Sequence, residues 1–254
     1  MHFVKRDPSA PDGFFEVEAA GLRWLGEVPD GAPAVRVLGV RPDGITLERL
    51  QSASPSRDAA ELFGRGLAGT HAAGAGWFGA PPDGWDGDGF IGPMPLPHAT
   101  KERPASFGDF YARYRLEPYL RRARDAGTLD SDEAATVATV VDRIATGDLD
   151  AGHARPSRIH GDLWSGNVIW TPSGAILIDP AAHGGHPETD LAMLDLFGLP
   201  HLDRVVAAYQ EVGPLADGRH ERIALHQLHP LLVHVVLFGG GYVGRLLAAA
   251  RRYL

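Results

Sequence analysis

Short alternating runs dominate the first fifty residues. HFVK reads as a strand stub, and AVRVLGV and GITLERL read as strands, since apolar and β-branched residues recur there between turn-forming ones. Between them GFFEVEAAGLRWLGEV carries Leu22 and Leu25 on one side, which predicts a helix. A small β-rich lobe with one helix follows. At QSASPS, residues 51–56, the period changes, and Leu62, Phe63 and Leu67 fall at helical spacing in RDAAELFGRGLAGTH. The pattern therefore predicts an α+β chain of two lobes, residues 1–54 small and β-rich, residues 55–254 larger and mainly helical.

Residues 72–108 are rich in Gly and Pro yet keep Trp77, Phe78, Trp85 and Phe90. A loop this long in a compact domain is functional or disordered, and its aromatics favour an ordered, functional one. Helical periodicity resumes in FGDFYARYRLEPYLRRARDAG and in LDSDEAATVATVVDRIATG. There Asp130 and Glu133 form a capping-box pair, and Val137, Val140, Val141 and Ile144 mark a buried face. The remainder after 186 reads as mostly helical.

One stretch breaks this regularity with polar groups. In SRIHGDLWSGNVIW, residues 157–170, a His, an Asp, a Trp and an Asn crowd the approach to a strand. NVIW then reads as a strand, TPSG as a turn and AILID as its hairpin partner, so the ribbon returns Asp179 towards Asp162 and Asn167. Three oxygen-bearing side chains thus converge. Phosphoryl transfer needs such a set: hard oxygen ligands for Mg2+ on nucleotide phosphates, and a separate carboxylate to orient the attacking hydroxyl and accept its proton. The intervals match the protein-kinase template H-R-D-L-x-x-x-N, with Gly161 in place of Arg. On this reading Asp162 is the base, Asn167 and Asp179 hold the metal, and His160 braces the loop or touches substrate.

Composition narrows the alternatives. A net charge of −8 leaves no basic face for nucleic acid or an anionic membrane, and the apolar C-terminal stretch is interrupted by His234 and glycines. The absence of cysteine removes thiolate chemistry and disulfides, and with no secretory h-region at the N-terminus the expected location is cytoplasmic. Lysine occurs only at Lys5 and Lys101, which draws attention to the one beside the apolar pair of FVK.

The chain resembles the fructosamine-3-kinase (ketosamine-3-kinase) family, a branch of the protein-kinase-like fold that includes aminoglycoside phosphotransferases and choline kinases. HGDLWSGN, LIDPAAHGGHPETDLAMLDLFG, GDGFIGPMPLPH, FYARYRLEPYLRRARDAG, AYQEVGPL and FGGGYVGRLL carry the resemblance. It implies an ATP- and Mg2+-dependent kinase acting on the 3-hydroxyl of ketoamines, free or protein-bound, which leads to deglycation. It also implies that Lys5 meets the ATP phosphates, that Glu18 pairs with Lys5, and that backbone groups around Glu48, Arg49 and Leu50 bond adenine. Asp190 would brace the catalytic loop, Trp164 would stack on the sugar or fill the core, and the protein would be a monomer or homodimer.

The resemblance further implies two strands and a glycine-rich loop ahead of FVK. The sequence as given lacks them, so the expected small lobe is abbreviated. An impaired, pseudokinase-like binding module is therefore one alternative, and an aminoglycoside or other small-alcohol kinase is the other. Gly239, Gly241 and Gly244 mimic a dinucleotide fingerprint but lack the following strand and acid, and are expected to form a helix-to-helix turn or close-packing site. A hydrolase lacks its G-x-S-x-G elbow, and His183, His186, His226, His229 and His234 lack zinc spacing and are expected to be packed residues.

Overall fold

A computed structural model describes residues 2–149 and 155–254. Strand β1 (His2–Arg6), helix α1 (Phe14–Gly26), β2 (Val37–Arg41) and β3 (Gly44–Glu48) build the small lobe. Its antiparallel sheet has the order β1-β3-β2. Lys5 is paired with Ile45 and Phe3 with Leu47, so all four side chains share the face that packs on α1. This register aims Lys5 at Glu18 of α1. The strand expected over residues 34–40 joins the sheet only from Val37 onward. Val35 N–H instead donates to the Leu177 carbonyl at 2.9 Å, and Leu177 N–H donates to Pro33 at 2.8 Å, stitching the small lobe to the large one.

Helix α2 (Arg57–Ala72) opens the large lobe behind its Ser56 cap. The Gly/Pro-rich stretch is ordered and holds a hairpin the sequence pattern does not show, β4 (Gly89–Ile91) with β5 (Met94–Leu96). A short α3 (Phe107–Phe110) runs through a π-helical turn (Tyr111–Leu116) into α4 (Glu117–Asp125). Helix α5 (Ser131–Thr146) starts with the expected capping box, and its four predicted residues are buried. Strand β6 (Ser157–Ile159) pairs with β9 (His183–Gly185), a second unpredicted ladder, while β7 (Val168–Thr171) and β8 (Gly174–Leu177) form the predicted hairpin.

Helices α6 (Pro187–Phe197), α7 (Leu202–Val212), α8 (Arg219–His226), α9 (Leu228–Phe238) and α10 (Val243–Ala250) complete the lobe. The apolar run over 219–253 has the length and composition of a membrane span. It is nonetheless broken between α9 and α10 by a 3-10 turn at Gly239–Tyr242, and Leu225, Leu228 and Leu232 are buried in the main core beside Val137 and Val140. Space is open around Gly239, Gly241 and Gly244, so they are not a close-packing site; the first two lie in the turn and Gly244 in the first turn of α10.

Candidate active site

The loop between β6 and β7 owes its shape to one buried acid. Asp190 of α6 accepts the backbone N–H of His160 at 2.7 Å and of Gly161 at 2.9 Å, and its Oδ2 lies 3.2 Å from Nε2 of His71. Burial opposes the charge of this carboxylate, but the His71 hydrogen bond and the charges and amide around it more than compensate, keeping its pKa below the ordinary range. His160 is 1% exposed. Its Nε2 donates to the Ile178 carbonyl at 2.9 Å, and its Nδ1 accepts the Asp162 N–H at 3.2 Å. His160 is therefore a brace, and the expectation that it touches substrate is corrected: both ring nitrogens are committed to backbone. Leu163, completely buried, anchors the loop in the core beside Leu177 and Leu191.

Gly161 explains why the kinase arginine is missing from this loop. Its φ is +79°, and a Cβ there would stand 2.2 Å from the Ala181 carbonyl oxygen. Gly161→Ala is expected to destabilise the protein by about 3 kcal/mol, because the left-handed backbone and the backbone clash act together. Thermal unfolding and turnover measured on the same sample check this, and an unchanged Tm contradicts it.

The polar groups then converge. Asn167, at the end of the 3-10 turn just ahead of β7, donates from Nδ2 to the Asp162 carbonyl at 2.8 Å and to Asp162 Oδ2 at 3.1 Å, and lies 3.4 Å from the Asp179 carbonyl. With Nδ2 so committed, the amide oxygen of Asn167 remains an acceptor. Asp179 has φ +51°, a left-handed conformation that Asp tolerates better than most residues and that marks functional positions. Lys5 Nζ reaches Glu18 Oε2 at 2.8 Å and Asp179 Oδ1 at 3.2 Å, so β1, α1 and the hairpin meet at one ammonium. Burial works against that charge, yet the two carboxylates outweigh it and raise the Lys5 pKa. Burial also raises Glu18, with Lys5 only partly offsetting it. For Asp162, burial is again the main cause of a raised pKa. Asp179 adds to the shift, while His160, Asn167 and His234 pull the other way.

These residues line a single cavity of about 230 Å3, with Lys5, Glu18, Asp162, Trp164, Asn167 and Asp179 on its wall. Trp164 is 42% exposed, which decides for the cavity over the core. Glu48, Arg49 and Leu50 are not on this wall. The Glu48 N–H already donates to the Arg36 carbonyl at 2.9 Å, so that amide is not available for the expected adenine contact. The sequence reading missed the apolar part of the wall, Phe14, Val17, Phe90, Ile91 and Gly92. The GDGFIGPMPLPH stretch was its signal. Among the described residues, ligand atoms of His186, Glu188 and His226 lie within 4.8 Å of one another. Glu188, however, is engaged by Arg222 at 2.6 and 3.0 Å, its N–H donates to His186 Nδ1 at 3.1 Å, and His226 Nε2 lies 3.6 Å from its Oε2.

The comparisons with known proteins agree over the full length. The family described as fructosamine kinase matches residues 1–254. A protein of Synechocystis sp. named as a ketoamine kinase is 33% identical over 248 residues, covering 95% of this chain and 79% of its own length. The crystal structure of a protein from Thermobifida fusca described as a fructosamine-3-kinase superposes with a TM-score of 0.90 at 49% identity, covering 99% of this chain and 85% of that one. The aminoglycoside phosphotransferase APH(2'')-IIa, solved with gentamicin, shares the fold at a TM-score of 0.61 and 12% identity, covering 99% of this chain and 84% of its own. With this two-lobed, kinase-like architecture and this match from first residue to last, the chain belongs to the fructosamine kinase family of phosphotransferases.

Proposed function

We propose that the protein transfers the γ-phosphoryl group of ATP to the 3-hydroxyl of a ketosamine, with Asp162 as the base. The observation that carries this reading is the meeting of Asp162, Asn167, Asp179 and Lys5 on one cavity, with the Asn167 amide reaching both the Asp162 carboxylate and the Asp179 backbone carbonyl. Asp162 orients the acceptor hydroxyl and takes its proton as the new O–P bond forms and the bond from the γ-phosphorus to the bridging oxygen breaks. Lys5, held by Glu18, offers its ammonium to the nucleotide phosphates. Trp164 presents an exposed ring to the sugar.

Magnesium fits the donors present: the free amide oxygen of Asn167 and the carboxylate of Asp179 are hard oxygens, and no softer ligand intrudes. Mg2+ held by Asn167 and Asp179 would neutralise charge on the phosphates. The 3-phosphate product is prone to eliminate, which frees the amine and makes deglycation the outcome.

The test incubates the full chain with ATP, Mg2+ and a fructosamine or ribulosamine of a simple amine, following the product by phosphorus NMR and mass spectrometry. One phosphate per ketosamine, matched by one ADP, is expected. A panel of aminoglycosides and other small alcohols runs beside it because of the shared fold. Transfer to a panel member with none to ketosamines overturns the proposal.

A further inference from the structure

Beyond the polar floor of the cavity, aromatic rings from three separate segments form a continuous tray. Trp164 of the catalytic loop meets Phe197 of α6 edge-on at 6.4 Å, and Phe197 lies 4.7 Å from His234 of α9. His234 in turn lies 5.2 Å from Phe238 and 4.9 Å from Tyr242. Phe238 is 64% exposed. Wet aromatic faces next to a catalytic carboxylate are a binding surface by composition, since water rewards neither their size nor their grouping.

His234 gives the tray its chemistry. Its Nδ1 lies 2.7 Å from the Pro230 carbonyl, which only accepts, so Nδ1 carries the proton. The neutral ring therefore presents Nε2 as a lone pair, and Nε2 has no hydrogen-bond partner among the described residues. Burial keeps the imidazole from charging; the Pro230 carbonyl and Asp162 favour the charge without restoring the ordinary pKa, and Arg245 opposes it. Arg245 itself is tied to the Leu196 carbonyl at 3.0 Å. A lone pair, π faces and the field of Asp162 all favour one kind of group, an N–H cation.

We infer that the tray holds the amine arm of the acceptor: a protonated secondary amine donates to Nε2 of His234 and lies against Trp164 and Phe238, with its substituent leaving the pocket past Phe238. This rests on the ketosamine reading, in which the amine and the reacting hydroxyl are only three carbons apart. His234 and Phe238 then select ketoamines over neutral ketose derivatives of the same shape.

The experiment compares a ketoamine with its ether-linked isostere, oxygen replacing the amine, as acceptors for the full-length protein with saturating MgATP. The wild type is expected to favour the ketoamine about tenfold or more in KM, the worth of a hydrogen bond to a charged group. His234→Phe keeps the ring contacts but removes the lone pair, and is expected to reduce that preference to about twofold, chiefly through KM. Phe238→Leu alters an exposed ring that the fold does not need. It is expected to raise the ketoamine KM about threefold and the isostere KM less, and it carries the same discrimination if His234→Phe does not fold. Both variants retaining the full preference, or losing both acceptors equally, overturns the inference. A wild type that phosphorylates the two acceptors alike overturns it while leaving the ketosamine reading intact, whereas a wild type that phosphorylates neither overturns that reading itself.

Discussion

Asp162→Asn is expected to lower kcat by about 10³-fold while leaving MgATP affinity within about threefold, because it removes a base and keeps its shape. The Asn167 amide that now donates to Asp162 Oδ2 at 3.1 Å finds a carbonyl oxygen in the same place, so the loop has no reason to move. Single-turnover kinetics with calorimetric titration of the nucleotide separate the two effects. A pH profile of kcat/KM adds an independent check. Burial and the charge of Asp179 raise the Asp162 pKa above the ordinary aspartate value of 3.8. The base works deprotonated, so activity is present above its pKa and falls as pH drops through it, and the acidic limb lies above pH 3.8. Turnover unchanged in the variant, or an acidic limb below that value, removes Asp162 from the role.

Asp179→Asn is expected to weaken MgATP binding by about 10- to 100-fold, the range for losing a charged oxygen ligand. Asparagine is the informative replacement, since at φ +51° it shares the tolerance of Asp, whereas alanine adds backbone strain unrelated to the metal. The same titration in the presence of a chelator provides the contrast. Without a divalent ion, removing a carboxylate from beside the phosphates does not weaken nucleotide binding. Equal losses with and without metal contradict the ligand assignment.

The site's polar floor was legible because its information is local. HGDLWSGN and the adjoining hairpin place Asp162, Asn167 and Asp179 within eighteen residues, and a β-turn brings them together with no help from the rest of the chain. The capping box at Asp130 is local in the same way. The β6–β9 ladder was invisible, since each strand is three residues long, one is mostly glycine, and they pair across more than twenty positions. The β4–β5 hairpin hid behind Pro93, Pro95 and Pro97, which argue against strand in any local count. The aromatic tray was hidden for another reason. Phe197, His234 and Phe238 each sit in an apolar helix where a core position is the ordinary reading, and only the packing of α6 against α9 turns them towards Trp164. Histidine exposed this most clearly: His226 and His229 are core residues as expected, while His234, one turn further on, is not.

Asp190 has a bearing on how portable this chemistry is. It secures the catalytic loop through two amides, and it is itself held by His71 from α2, whose other ring nitrogen lies 2.9 Å from the Tyr209 hydroxyl of α7. Grafting HGDLWSGN alone onto a foreign scaffold would transplant Asp162 and Asn167 without their mooring, and without Asp179 and Lys5. The smallest unit that holds the loop in place is discontinuous, made of the loop itself and three residues contributed by three helices.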